Sequence, residues 1–279
     1  MRNITAITPA ISTGEIPEAS FQSTSNPDSA LLKGNAFCMA PWANLAVSIG
    51  GAVAPCCEFK GELGNVKQQP LSEIWIGENF GKLRRKLLHD QRTKECWKCY
   101  EVEARGGRSF RDTFNTKFGH KINSLIPKAD SNAKDQPYPV SLDIRFTNLC
   151  NFSCRMCWHG SSSKWYSDAR MLGTTAAGTS LIRSFESAEQ GLKAIAPFLE
   201  HAETIYWAGG EPLLMEEHYA VLESLLARNR TDVHLRYNSN LSSLKLNNSD
   251  VLKLWGQFEN IELEASIDGT DQRGELIRH

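Results

Sequence analysis

Apolar and polar residues recur with two different periods in the second half of the chain. Four short segments with the apolar and β-branched content of strands cover residues 142–147, 204–208, 233–238 and 261–267. Between them, apolar residues recur three and four positions apart, which is the spacing of an amphipathic helix. Strands that alternate with helices predict a parallel sheet built from βα units. The loops that follow the carboxyl ends of such strands are the expected place for functional residues.

The first half of the chain lacks this alternation and divides into three parts. Residues 1–34 are rich in Ser, Thr, Pro and Asn and have no apolar period, which predicts a flexible segment. Residues 35–123 are predicted to form a small domain that carries cysteines. The proline-containing stretch 124–139 predicts a linker, after which residues 140–279 form the domain of strands and helices.

Two elements are predicted within the small domain. A hairpin over residues 45–54 turns at Gly50-Gly51. A helix that begins near Ser72 carries Phe80 and Leu87 on one face, and its run of basic residues is expected on the solvated face.

The charge balance argues against two classes of partner. Lys and Arg together number 31 and Asp and Glu 32, so the net charge of −1 provides no general attraction to nucleic acid or to an anionic membrane. The first residues lack the apolar run of a signal peptide, and no stretch approaches the roughly 20 apolar residues of a membrane span. We therefore expect a cytoplasmic protein with neither nucleic acid nor membrane as partner.

The eight cysteines fall into two groups. In a reducing cytosol, clustered cysteines hold metal or do chemistry more often than they form disulfides. Cys150, Cys154 and Cys157 form a C-x3-C-x2-C triplet directly after the first predicted strand. Three thiolates leave one coordination position open on an iron–sulfur cluster, whereas a structural zinc site wants four protein ligands. Because His159 could complete a zinc site, the triplet alone leaves both alternatives open.

The spacing of this triplet at the end of a first strand resembles the signature of the radical S-adenosylmethionine (SAM) superfamily. The resemblance implies a [4Fe–4S] cluster on Cys150, Cys154 and Cys157, whose open iron is chelated by the amino and carboxylate groups of SAM. It also implies that an electron from the cluster cleaves the sulfonium to a 5′-deoxyadenosyl radical, which abstracts a hydrogen atom from the substrate.

Further positions match the same family. The segment Gly209-Gly210-Glu211-Pro212 follows the second strand and matches the family's cofactor-binding GGEP element. Asn238 ends the third strand, and Ser266 and Asp268 follow the fourth, where the family contacts the cofactor. Met156 stands where the family usually places an aromatic residue near the adenine, and its thioether supplies an apolar, polarizable contact. The resemblance implies that these residues bind SAM.

The N-terminal cysteines make a set of four ligands. Cys38, Cys56, Cys96 and Cys99 could form a closed site for zinc or for an iron–sulfur cluster, and composition does not choose between the two. Their order resembles the twitch domain, the shortened relative of the SPASM domain, which implies an auxiliary [4Fe–4S] cluster on these four residues. Cys57 could replace Cys56, because adjacent residues on a strand point to opposite faces.

The resemblance implies an α/β fold, with a partial (βα) radical SAM barrel preceded by a small cysteine-rich twitch/SPASM-like domain. The family barrel usually has six βα units, and four are visible before His279. We expect a chain truncated at its C-terminus, with completion of the barrel by a partner polypeptide as the alternative.

The resemblance also implies the reaction. We expect hydrogen abstraction from a peptide or a small-molecule substrate, with electrons from a donor such as flavodoxin or ferredoxin. Two other functions stay open: a zinc-stabilised binding module and a catalytically inactive iron–sulfur-binding remnant.

Overall fold

The structure is a computed structural model, and it describes residues 30–127, 135–175 and 178–278. Residues 1–29 of the predicted flexible segment, and residues 128–134 of the predicted linker, lie outside the described residues. Ala30–Lys33 form a 3-10 helix, and the side chains of Leu31 and Leu32 pack against a buried apolar cluster. The prediction of a flexible segment is therefore wrong for residues 30–33.

Strands and helices alternate in the second half of the described chain, whereas in the first half three strands precede a run of helices. The strands are β1 (Asn44–Val47), β2 (Ala52–Ala54), β3 (Gly64–Asn65), β4 (Ser141–Ile144), β5 (Thr204–Trp207), β6 (His234–Ser239), β7 (Lys245–Leu246), β8 (Ser249–Asp250) and β9 (Ile261–Ala265). The helices are α1 (Ala40–Ala43), α2 (Leu71–Ile76), α3 (Glu78–Leu88), α4 (Trp97–Ala104), α5 (Phe110–Phe118), α6 (Ile122–Leu125), α7 (Tyr166–Met171), α8 (Ala188–Leu199), α9 (Glu216–Ala227), α10 (Val251–Trp255) and α11 (Asp271–Ile277). The four strands predicted in the second half are confirmed as β4, β5, β6 and β9.

One mostly parallel sheet joins the two halves of the chain, in the order β3-β2-β1-β4-β5-β6-β9. Neighbours among β4, β5, β6 and β9 are parallel, as the sequence predicts. Strand β1 pairs parallel with β4, with Leu45 opposite Leu142, so the N-terminal hairpin continues the same sheet. The predicted small domain thus contributes three strands to a shared sheet, and the boundary at 124–139 stays a prediction.

Three glycines, Gly50, Gly51 and Gly77, determine the local structure at two points of the N-terminal region. The predicted hairpin is confirmed, and its turn places Gly50 and Gly51 at φ 94° and 96°, a conformation that disfavours residues with a Cβ. The single helix predicted from Ser72 is wrong in its continuity. Gly77 has an extended backbone (φ −70°, ψ 166°) and separates α2 from α3.

One basic residue of α3 is buried, contrary to the predicted solvated face. Arg84 is 7% exposed. Its Nε donates to Pro41 O at 2.9 Å and its Nη1 donates to Trp75 O at 3.0 Å. The guanidinium carbon also lies 4.3 Å from the centroid of the Trp75 ring, which is a cation–π contact. Arg84 therefore joins α3 to α1 and α2.

The two faces of the sheet differ in chemistry because side chains alternate along each strand. One face belongs to a buried apolar cluster that includes Leu142, Ile205 and Leu235. The opposite face, which we call the polar face, carries Asp143, Arg145, Tyr206, Arg236, Glu262 and Glu264. Its charges are largely paired within the sheet. Arg236 donates to both carboxylate oxygens of Glu262 at 2.8 Å, and Arg145 pairs with Asp143 at 3.1 Å.

A buried histidine packs on the apolar face. His218 in α9 is fully buried, its Nε2 lies 2.9 Å from the Tyr237 hydroxyl, and its ring meets the Trp207 ring edge-on. Burial lowers the pKa of His218 from 6.5 to about 3. The folded protein therefore keeps this imidazole neutral at pH values where an unfolded chain would protonate it.

We predict that His218 makes the fold acid-sensitive. Between pH 7 and pH 5 the unfolded chain takes up a proton on His218 that the folded chain does not, so the free energy of unfolding falls by about 2 kcal/mol. His218→Gln keeps a side-chain nitrogen near Tyr237 and removes this proton uptake. Denaturant titrations at the two pH values should show a smaller loss in the variant. An equal loss in both proteins would contradict the prediction.

Candidate functional site

The loops that follow the parallel strands meet at one edge of the sheet. Gly210 N–H donates to Thr147 O at 3.1 Å, and Glu211 N–H donates to Leu149 O at 2.7 Å. Parallel strands bring their carboxyl ends to one edge, so motifs far apart in sequence become neighbours there. The two hydrogen bonds place the predicted Gly-Gly-Glu-Pro loop against the start of the cysteine loop.

This close approach requires both glycines. Gly209 has φ 125°, a conformation that disfavours residues with a Cβ. A Cβ on Gly210 would stand 2.1 Å from Leu149 O, far inside the van der Waals contact distance. Pro212 follows as the buried first residue of the 3-10 helix Pro212–Leu214. The motif therefore allows two backbones to lie in contact.

The Glu211 carboxylate ties this loop to the loop after β6. Glu211 is 1% exposed. Its Oε1 accepts hydrogen bonds from Ser239 Oγ at 2.7 Å and from Leu213 N at 3.1 Å, and its Oε2 accepts from Asn240 N at 2.8 Å. Sequence reasoning assigned Glu211 to the cofactor alone and did not find this bracing. Its contact with the cofactor stays a prediction.

A buried asparagine that sequence reasoning missed holds the cysteine loop. Asn148 is fully buried. Its Nδ2 donates to His159 O at 2.8 Å and to Ser180 O at 3.0 Å, and its Oδ1 accepts from Ile182 N at 2.8 Å. The sequence feature that could have identified it is its position, directly after a predicted strand and two residues before the first cysteine of the triplet.

Two further side chains fix the loop from the segment that follows it. Ser162 Oγ donates to Phe152 O at 2.5 Å, and Trp165 Nε1 donates to Cys154 O at 3.0 Å. Neither residue was found from the sequence, since each acts on backbone carbonyls about ten positions away. Together with Asn148 they restrict where the three thiols can lie.

The triplet cysteines share this tight loop. Cys154 is 5% exposed, and Cys150 and Cys157 are half-buried. Phe152 N–H donates to Cys150 Sγ at 3.4 Å. Burial raises the pKa of the Cys150 and Cys157 thiols. Within residues 30–127, 135–175 and 178–278, no three Cys, His, Asp or Glu side chains are arranged to hold a metal ion, so the ligand assignment stays a prediction.

His159, the alternative fourth ligand, makes packing contacts. It is 7% exposed, and its Nε2 lies 3.4 Å from Thr175 Oγ1. Its ring centroid is 6.0 Å from that of Tyr166 in α7. These contacts favour a packing role for His159 over metal ligation.

The other residues predicted to bind SAM lie at or near the same edge. Met156 is 58% exposed. Asn238 lies opposite Glu264 on the polar face, and its Oδ1 is buried without a hydrogen-bond partner in the described part of the chain. Ser266 N–H donates to Ser239 O at 2.8 Å, which joins the loops after β6 and β9.

The four N-terminal cysteines of the predicted set line one pocket. They are Cys38, Cys56, Cys96 and Cys99, and Phe110 and Phe114 form part of its apolar wall. Burial raises the pKa of all four thiols, in the case of Cys96 to about 12. Ala40 N–H donates to Cys38 Sγ at 3.4 Å. The fold thus brings together cysteines that are far apart in the sequence, such as Cys38 and Cys99, which are 61 positions apart.

Cys57 is placed differently and is exposed. Partial burial of its thiol raises the pKa of Cys57 to about 11, with Asp143 also raising it and Arg145 lowering it. Both of these residues belong to the polar face, so Cys57 lies toward that face and outside the pocket of the other four. The placement favours Cys56 in the four-ligand set, which itself stays a prediction.

The protein has an α/β fold with a mostly parallel sheet, and the cysteines predicted as ligands lie in one tight loop and around one pocket. Residues 144–278 match the model of the radical SAM superfamily, and residues 38–100 match that of SPASM, an iron–sulfur cluster-binding domain. The two matches support a radical SAM protein with a SPASM-type domain. They also support an enzyme, and the two domain families imply iron–sulfur clusters and SAM as cofactors.

A curated relative supports the same family. The chain is similar to the S-adenosylmethionine-dependent nucleotide dehydratase RSAD2 of Siniperca chuatsi, at 27% identity over 154 residues. The match covers 53% of this chain and 38% of the relative's length. No solved structure matches the chain. Among the described residues, no helix has the length and apolar character needed to cross a membrane.

We predict that Gly210→Ala disrupts the cysteine loop. The added Cβ forces Leu149 O away, and overpacking of this kind costs about 1–3 kcal/mol of stability. The variant should bind less iron after anaerobic reconstitution and unfold at lower denaturant. Gly178→Ala is the matched control, because its Cβ would meet nothing within 4 Å. Iron binding and stability equal to those of the control would contradict the prediction.

Proposed function

We propose that this chain binds a [4Fe–4S] cluster and SAM and abstracts a hydrogen atom from its substrate. The observation that carries the proposal is the contact between the triplet loop and the Gly-Gly-Glu-Pro loop, made by Gly210 N–H to Thr147 O and by Glu211 N–H to Leu149 O. When bound, the reduced cluster supplies the electron that cleaves SAM to the hydrogen-abstracting 5′-deoxyadenosyl radical.

The residues of the triplet suit such a cluster. Cys150, Cys154 and Cys157 are soft sulfur donors, and three of them leave one iron free for the cofactor. Their loop is fixed from both sides by Asn148 and Trp165. Metal binding deprotonates thiols, and ligation removes the cost of burying free thiolates in this partly dry loop.

Two groups near the triplet support a place for SAM. Gly209 and Gly210 are half-buried at this edge of the sheet, with Glu211 beside them. The buried Asn238 Oδ1 lacks a donor within the described residues, and a buried acceptor without a partner is unfavourable. A donor group of the cofactor would satisfy it. We assign Met156, Pro212, Ser266 and Asp268 to the same pocket, as part of a radical SAM barrel.

We propose that Cys38, Cys56, Cys96 and Cys99 hold an auxiliary [4Fe–4S] cluster. They line one pocket with a mostly apolar wall. Four protein ligands leave no open position on a cluster, which supports electron transfer or a structural role over direct binding of substrate.

The substrate is proposed as a class. We propose a peptide or a small molecule as the substrate, and an electron donor such as flavodoxin or ferredoxin would reduce the clusters. The nucleotide named for the dehydratase is not transferred to this chain, since the identity is 27% over a part of that protein.

We predict about eight irons per chain after anaerobic reconstitution, from two cubane clusters. Cys154→Ala should retain about four irons and form no 5′-deoxyadenosine from SAM under reducing conditions, because one sulfur ligand of the reactive cluster is lost. Cys57→Ala is the matched control and should keep both the iron and the cleavage. Continued cleavage by Cys154→Ala would contradict the ligand assignment.

The same experiment separates the two alternatives. Tightly bound zinc without brown colour would favour the zinc-stabilised binding module. Eight irons with no 5′-deoxyadenosine in the wild-type chain would favour the catalytically inactive remnant.

A further inference from the structure

We propose that Arg278 is a positioning residue for the reactive cluster, acting on the sulfur of Cys154 and held in place by Asp268. The inference deepens the proposed function and rests on it. It concerns a contact between two loops that neither the sequence motifs nor the family matches assign.

The contact joins a cation to the most buried thiol of the triplet. Arg278 Nη1 lies 3.8 Å from Cys154 Sγ, within hydrogen-bonding distance for sulfur. Cys154 is 5% exposed, so water has little access to its sulfur. In such surroundings a guanidinium donor interacts more strongly with a negatively charged sulfur than it would in water.

Two anchors hold Arg278 in this position. Arg155 N–H, next to Cys154, donates to Ile277 O at 2.9 Å, which attaches the end of α11 to the cysteine loop. The Arg278 guanidinium forms an ion pair with Asp268, and its side chain is 21% exposed. The arginine is therefore fixed by its backbone neighbour and by its charge partner.

Asp268 has a partner that the sequence did not reveal. Its carboxylate is paired with Arg278 in the structure, and its direct contact with SAM stays a prediction. Through this pair, the loop after β9 is connected to a ligand of the cluster. Asp268 thus acts on the cluster through Arg278.

We expect Arg278 to affect the reduction potential of the cluster. Hydrogen bonds to ligand sulfurs and nearby positive charge stabilise the reduced, more negative state of an iron–sulfur cluster and raise its reduction potential. Removal of Arg278 should therefore make the reactive cluster harder to reduce. A salt bridge with a purely structural role would alter folding or cluster content but leave this potential unchanged.

The test is a redox titration of the anaerobically reconstituted full chain, followed by electron paramagnetic resonance. The signal that changes on addition of SAM identifies the reactive cluster and separates it from the auxiliary one. We compare Arg278→Met, Arg278→Lys and Asp268→Asn with the wild type. Arg273→Met is the matched control, because Arg273 is exposed and lies on α11, the helix that ends one residue before Arg278.

In Arg278→Met we expect the ratio of reduced to oxidised cluster at a fixed potential to fall about tenfold, a shift of about 59 mV to more negative values for one electron. Arg278→Lys keeps the charge and should lie between Arg278→Met and the wild type. Asp268→Asn should shift in the same direction as Arg278→Met, and Arg273→Met should not shift.

An Arg278→Met protein with full iron and the wild-type potential would overturn the inference and leave the proposed function intact. If Arg278→Met fails to assemble a cluster, the test passes to Arg278→Lys and Asp268→Asn, and unchanged potentials in both would overturn it. A wild-type chain without any SAM-responsive signal would instead overturn the proposed function.

Discussion

The site depends on the backbone contact between two loops at the carboxyl edge of the parallel sheet. The hydrogen bonds from Gly210 and Glu211 to the strand end at Thr147 and Leu149 hold these loops together. Only a residue without a Cβ fits at Gly210, where a side chain would lie 2.1 Å from a carbonyl oxygen. The parallel register of β4 and β5 sets this geometry, because it brings both strand ends to the same level.

The polar interactions around this contact form one connected set. The buried carboxylate of Glu211 links the loop after β5 to the loop after β6, and Asn148 fixes the cysteine loop from beneath. The ion pair of Asp268 with Arg278 connects the loop after β9 to Cys154. The loops after β4, β5, β6 and β9 therefore all contribute to the surroundings of the triplet, although the three cysteines lie on a single loop.

Local patterns in the sequence were sufficient to predict several strands and the division of the cysteines into two groups. The strands β4, β5, β6 and β9 and the hairpin at Gly50-Gly51 follow from apolar periodicity and turn residues, which depend on near neighbours alone. The break at Gly77 and the burial of Arg84 were not predicted. Arg84 looks like any surface arginine in sequence, and only its contacts with Pro41 and Trp75 explain why it is inside.

Contacts between residues far apart in the sequence could not be predicted either. Nothing in the sequence near Asn44 indicates that β1 pairs with β4, almost a hundred residues away, so a shared sheet was not expected. Asn148 and Arg278 were missed for the same reason, because only their contacts in the folded protein show what they do. The Gly-Gly-Glu-Pro motif, in contrast, was found because four consecutive residues match the family's element.

The central claim is that the triplet cluster keeps one iron open for SAM, and its electron paramagnetic resonance spectrum tests that claim most directly. The protein is reconstituted anaerobically and reduced, and spectra are recorded with and without SAM. We expect one cluster signal to change on addition of SAM in the wild type, and this response to be absent in Cys154→Ala. Identical spectra with and without SAM in a fully loaded wild-type protein would contradict it.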